Sequence, residues 1–376
     1  MKSDNIVITY VFLRGRVDRI NSNQEHALEM FYSYFFFKRN YKNTNIIEFY
    51  KSEKNKKGIR RSLIYIDKFL KKLLRLPIYT SAIVSFENIR KYLRSDYLIL
   101  TNDRVACSSL PILLLNKLFG TTNVSFFVLG LFKNKPKYRI LYPIQKIYIK
   151  ALLFTANNIF FLGEGEFNYA KKNFSSSNKK FHFLPFSIDS NFWKKSNEAG
   201  KKKGVVFVGN DGNRDFEKLI EICESLPKIQ FTLVTKMITP HTKIPINAKV
   251  VSGSWGSNEL TDEDLRNLYS TSRLTILPLK NSLQPSGQSV ALQSMAVGTP
   301  VLISNTEGFW EKDKFKNNEN IFFVNDNSVS NWAKIINSLY KNENLLSKVA
   351  SNGINTITKF YKIERFDQDM KKILGI

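Results

Sequence analysis

Short apolar runs alternate with amphipathic stretches along the whole chain. Strands are predicted at residues 6–13, 45–50, 97–101, 124–129, 158–162 and 181–185. Helices are predicted between them at 24–37, 59–76, 110–119 and 166–174. A polar, lysine-rich stretch over 189–204 then reads as a linker. A second series follows, with strands at 205–208, 229–235, 250–252, 274–279, 300–303 and 321–324. Its helices are expected at 215–226, 263–269, 285–298, 332–340 and 363–374. Such alternation indicates parallel sheets covered by helices. The expected architecture is α/β: two Rossmann-like domains facing each other across a cleft, over 1–190 and 200–356. A closing helix over about 358–376 can pack back on the first domain.

Two segments stand out. In 59–76, Ile59, Leu63, Ile66, Leu70 and Leu73 share a narrow arc at 100° per residue, with Phe69 and Leu74 beside it. Arg60, Arg61, Lys68, Lys71, Lys72 and Arg75 fall opposite, Ile64 is an apolar misfit, and Pro77 ends the helix. The stripe suits packing on a sheet, and the basic face, with Arg61, Lys68, Lys72 and Arg75, attracts anionic headgroups. The second segment, 285–300, reads Pro-Ser-Gly-Gln-Ser-Val-Ala-Leu-Gln-Ser-Met-Ala-Val-Gly-Thr-Pro between two strands. Ser286 is the expected N-cap, which leaves the N–H groups of Gly287, Gln288 and Ser289 at an electropositive helix start suited to phosphate. Gly287 would let a ligand approach the backbone. An ordinary capped βαβ turn would read the same way.

Charge sharpens the picture. The 376 residues have a formal net charge of +25. Residues 1–200 hold 34 Lys and Arg against 14 Asp and Glu, and residues 201–376 hold 23 against 18. The first half is therefore expected to face something anionic: phospholipid, a phosphate-bearing acceptor or nucleic acid. Cys107 and Cys223 are too few and too separated for a disulfide framework or a cysteine metal site, which favours a reducing compartment. The N-terminal apolar run is short and leads into arginines, unlike a signal peptide. No apolar run reaches membrane-spanning length.

Candidate chemistry gathers in the second half. Val208-Gly209-Asn210-Asp211-Gly212-Asn213-Arg214-Asp215 joins a strand to a helix, where such folds present backbone to phosphate, and Arg214 offers a forked donor. A surface turn with an arginine is the plain alternative. Thr261 with Asp264 reads as a capping box rather than a metal site. His26, His182 and His241 do not cluster, and Lys201, Lys202 and Lys203 read as solvated linker. No metal ligand set is expected.

These motifs resemble family 4 glycosyltransferases, enzymes of the two-domain GT-B architecture. The family's Val-Gly at the end of the donor domain's first strand matches Val208-Gly209. Its Leu-Glu-Ala-Met-Ala-x-Gly-x-Pro-Val helix is similar to residues 292–301, Leu-Gln-Ser-Met-Ala-Val-Gly-Thr-Pro-Val. The family's later Glu corresponds to Glu311, eleven positions after Pro300, with Gly308 in the turn. Phe183-Leu184-Pro185-Phe186-Ser187-Ile188-Asp189 and Phe192 resemble the segment linking the domains. Two glutamates separated by seven intervening residues are usual in the family; here Pro285 and Gln293 stand there. Asn210 occupies the position of a usual arginine, and the first domain's loop histidine has no counterpart near residues 128–132.

The resemblance implies transfer of a sugar from a nucleotide-diphosphate sugar to a cell-envelope polysaccharide or lipid-linked glycan, with retention and without cofactor. Donor contacts are expected from Gly209, Asn210, Arg214, Lys236, Ser252, Gly253, Ser286, Gly287, Gln288, Ser289, Gln293 and Glu311, with the nucleoside near 252–255 and Gln293 at the ribose. No catalytic residue is assigned. The expected place is cytoplasmic, peripheral on an anionic inner-membrane surface, with no nucleic acid as partner. A GT-B nucleotide-sugar epimerase and a non-catalytic basic protein binding nucleic acid or membrane are the alternatives.

Overall fold

The computed structural model describes residues 5–22, 25–49, 59–194, 202–239, 241–253 and 260–376. The charged loop expected at 51–57, Lys201, Ser254, Trp255 and the side chains of Ile59 and Arg60 lie outside it. Two compact units result: residues 1–22, 31–184 and 367–376 form one, and residues 23–30 and 185–366 the other.

The first unit begins with β1 (Val7–Phe12), α1 (Arg16–Ile20), α2 (Tyr34–Asn40) and β2 (Asn43–Glu48). The helix expected over 24–37 is broken, because Tyr32 and Ser33 adopt positive φ of 49° and 66°. Next come α3 (Ile59–Leu74), α4 (Phe86–Leu93), β3 (Tyr97–Leu100), α5 (Asp103–Phe119) and β4 (Asn123–Val128). α6 (Tyr142–Thr155), β5 (Asn158–Phe161), α7 (Glu164–Asn173) and β6 (Phe181–Phe183) complete it. The six strands are all parallel, in the order β2-β1-β3-β4-β5-β6. Central strands such as β3 and β4 are apolar on both faces because helices cover both.

α3 sits rotated from its expected orientation. Asp67 and Leu74 are buried, and Asp67 accepts the N–H groups of Thr80 at 3.0 Å and Ser81 at 2.8 Å. That contact turns Tyr65, Ile66 and Phe69 outward. Leu63, Leu70 and Leu73 are half-buried, and Arg61, Lys68, Lys72 and Arg75 are exposed.

The second unit holds β7 (Val205–Val208), α8 (Phe216–Ser225), β8 (Phe231–Val234), β9 (Ala248–Val251), α9 (Asp262–Thr271) and β10 (Leu274–Leu277). α10 (Gln288–Ala296), β11 (Val301–Ser304), β12 (Phe322–Val324), α11 (Val329–Lys341) and α12 (Glu343–Phe360) follow. α13 (Ile363–Leu374) begins here and ends in the first unit. This parallel sheet runs β12-β11-β10-β7-β8-β9. Chain direction across it reverses between β7 and β10, the switch point at which open α/β sheets bind ligands outside their carboxyl ends. α9 carries the capping box between Thr261 and Asp264. α10 is buried at eight of its nine positions. Ser294 pins it by hydrogen bonds to Thr275 and to the carbonyl of Thr299.

Candidate donor site

The loops leaving β7 and β10 are laced together at the switch point. Asn213 Nδ2 donates to Gln284 Oε1 at 2.8 Å and to Ser286 Oγ at 2.6 Å. The Lys280 N–H donates to the Asn213 carbonyl, the Asp215 N–H donates to the Pro278 carbonyl, and Arg214 bridges Leu279. Ser286 is therefore occupied by Asn213 and is not the helix cap expected for it. Gly287 takes the N-cap position instead, at φ 81°, and, lacking a side chain, makes no cap hydrogen bond of its own. Its Cβ direction points at Leu277, Leu279 and Ile303. The left-handed backbone by itself calls for glycine here. Gln288 is buried and Ser289 half-buried in the first turn. The early N–H groups of a helix have no intrahelical acceptors, so this end keeps its positive character.

Arg214 lies over Gly209, so a Cβ there would overlap its side chain. The Arg214 side chain is 4% exposed, with Nη1 3.1 Å from Asp211 Oδ2. Among the described residues Nε and Nη1 have no hydrogen-bond partner. Burial lowers its pKa, opposed by Asp211 and Tyr269. A buried cation with unfilled donors is costly and suits an incoming anion.

Asn210 has a different task from the one its position implied. Its Nδ2 donates to the Gly253 carbonyl at 2.8 Å, and its Oδ1 accepts the Lys236 N–H at 2.6 Å. It ties the loops after β7, β8 and β9 and stands in for no charge. Lys236 and Ser252 are exposed, and Gly253 is buried against Val234 and Leu260. Glu311 accepts the Tyr361 hydroxyl at 2.6 Å.

Gln293 departs furthest from its expected ribose contact. It is buried, and its Nε2 donates to Glu29 Oε1 at 2.8 Å. The same oxygen accepts Trp193 Nε1 at 2.7 Å, while Oε2 accepts the Asp189 N–H at 3.3 Å. Beside it, Asp262 accepts the Ala27 N–H at 3.0 Å. Residues 25–30 thus complete the second unit. Burial pushes the Glu29 carboxyl up to about 7; Asp262 adds to this, and the bonds from Gln293 and Trp193 oppose it. A glutamate at 293 would set two carboxylates face to face, whereas glutamine supplies a neutral donor. The sequence signal was the missing acid at 293; its partner, 264 positions away, had no local signature.

In the first unit, two buried acids shape the loop after β4. Glu166 accepts the Gly130 N–H on both oxygens, at 2.9 and 3.1 Å, and Asp103 accepts the Leu129 N–H at 3.1 Å. Burial and Asp103 raise Glu166 to about 8. Among the described residues no group of three or more His, Cys, Asp or Glu could hold a metal.

Residues 257–356 match the family model for glycosyl transferases group 1. Solved structures match nearly end to end at low identity. A glycosyltransferase from Rickettsia africae has a TM-score of 0.65 at 14% identity, covering 98% of this chain and 99% of its own. Sucrose-phosphate synthase from Thermosynechococcus elongatus gives 0.67 at 13%, covering 98% of each chain. HepE from Anabaena, solved with UDP, gives 0.65 at 10%, covering 98% and 100%. The chain is a GT-B glycosyltransferase. Its fold follows from the neighbours, and its class from the family match in the donor domain. No curated protein matches the glycosyltransferase. No helix among its described residues is long and apolar enough to cross a membrane.

Proposed function

We propose that this glycosyltransferase binds a nucleotide-diphosphate sugar at the β7–β10 switch point and transfers the sugar to a cell-envelope polysaccharide or lipid-linked glycan. The buried Arg214 guanidinium, whose Nε has no hydrogen-bond partner among the described residues and whose Nη1 is ion-paired only with the exposed Asp211, carries this reading together with the start of α10, where the N-cap residue is a glycine. Both would stabilise the charge that grows on the diphosphate leaving group as the sugar departs. Arg214 and the helix end supply the positive charge, so no metal or cofactor is assigned. The family resemblance supports retention of configuration. The basic first half supports work at the cytoplasmic face of an anionic membrane, without nucleic acid.

HepE was solved with UDP-glucose as well as UDP, so uridine nucleotides are the first ligands to titrate. Calorimetry is expected to show UDP binding, weakened about 10- to 100-fold in Arg214→Ala, equivalent to about 1.5–3 kcal/mol for a lost charge-assisted bond. Uridine binding is expected to change little. Unchanged UDP affinity in a folded Arg214→Ala protein would move the diphosphate elsewhere.

A further inference from the structure

The helices over one face of the first sheet carry apolar side chains on their outer surface as well as their inner one. Ile140 is 83% exposed, Phe119 80%, Leu118 74%, Ile147 64%, Phe154 58% and Ile144 52%. They come from the end of α5, the turn Arg139–Leu141 and α6, and α5 and α6 pack against each other. The inner faces are filled separately, by Ile112 and Leu113 on α5 and by Ile149 and Leu152 on α6. The outer residues therefore have no role in the core, and apolar residues on two adjoining helices exceed the scattered exposure of ordinary surfaces.

Charge identifies what covers them. No Asp or Glu occurs between Asp103 and Glu164, whereas that stretch holds eight Lys and Arg. Lys146 and Lys150 are exposed on α6, and Lys117 Nζ lies 5.6 Å from the Phe154 ring centroid. Long basic side chains rising beside apolar ones suit a bilayer boundary, with stems among acyl chains and ammonium groups at phosphate level. A second copy would bring this uncompensated positive surface against itself.

We infer that the α5–α6 face seats the enzyme on an anionic lipid bilayer. The α3 basic face, which the sequence favoured, is a lesser contributor. The inference deepens the acceptor side of the proposed function. Lipid binding and UDP binding are measured separately, so either can fail alone.

The test is flotation of the full chain with phosphatidylcholine vesicles, with and without phosphatidylglycerol. The wild type is expected to float with the anionic vesicles and to be retained in part at high salt, because apolar insertion is not screened. Ile140→Ser with Ile147→Ser is expected to lower partition at least about tenfold, given the apolar area removed. Melting temperature and UDP affinity are expected to hold. Lys146→Gln with Lys150→Gln is expected to reduce the preference for anionic lipid, and replacing Arg61, Lys68, Lys72 and Arg75 by Gln to cost less than the isoleucine pair. Wild-type flotation by the folded isoleucine variant overturns the assignment. So does a dimer, seen by sedimentation velocity, that this variant splits while neither protein binds vesicles.

Discussion

Glu29 is defined by its surroundings and not by its place in the chain. Its carboxyl is held near 7 by burial, above its ordinary value of 4.5. The folded state therefore binds a proton more tightly than the unfolded chain, and its stability contribution is full below about 4.5. It falls as pH rises through about 7, by at most about 1.4 kcal/mol per pH unit. Thermal melts of the wild type are expected to lose stability between pH 5 and 7. Glu29→Gln is expected to flatten that slope, although Glu166 adds a similar one reaching about 8. An identical profile in the variant would show that Glu29 is ionised throughout. Gln293→Leu, read from sequence as a ribose variant, is now expected to destabilise the fold and to spare ribose recognition, because it removes a donor from a buried acid.

At the scale of elements, two glycines on neighbouring loops separate structure from binding. Gly287→Ala places a side chain at φ 81°, next to Leu277 and Ile303. It is expected to cost about 1 kcal/mol or more in a denaturant melt while leaving UDP affinity intact in the folded fraction. Gly209→Ala meets no such backbone demand but overlaps Arg214. It is expected to weaken UDP binding through displacement of the guanidinium; equal affinity would mean that Arg214 adapts. The elements themselves were legible where apolar runs are short and bounded, as at β7, β10 and β11, because strands buried on both faces leave few other readings. α12 was missed although it spans 18 residues, since its polar, asparagine-rich sequence masks the buried Leu346, Val349 and Ile357. α3 was placed correctly along the chain but misrotated, because hydrophobic periodicity ignores what a buried Asp67 can accept. Likewise the switch-point loops were found from glycine and helix patterns, while the partners of Asn210, Ser286 and Gln293 depend on residues brought in by the fold.

For the molecule as a whole, the units do not follow the order of the chain. A fragment covering 185–376 lacks Ala27 and Glu29, leaving Trp193 Nε1, Gln293 Nε2 and Asp262 without these partners. It is expected to melt lower than the corresponding unit in the full protein, and a peptide covering 23–31 is expected to raise its melting temperature when added in trans. No rise at saturating peptide would show that this segment is held there passively. The division also constrains assembly in time. Residues 23–30 are synthesised early yet complete a unit that ends at 366, and the first unit needs residues 367–376. The second unit cannot close before residue 366 has been made, nor the first before residues 367–376 have joined it. The Glu29–Gln293 contact, spanning 264 positions, carries a large loop-closure entropy and belongs among the late events of folding. Until it forms, Gln293 Nε2 and Trp193 Nε1 lack their carboxylate partner, and chains of this size are most prone to aggregate while such distant contacts are unmade.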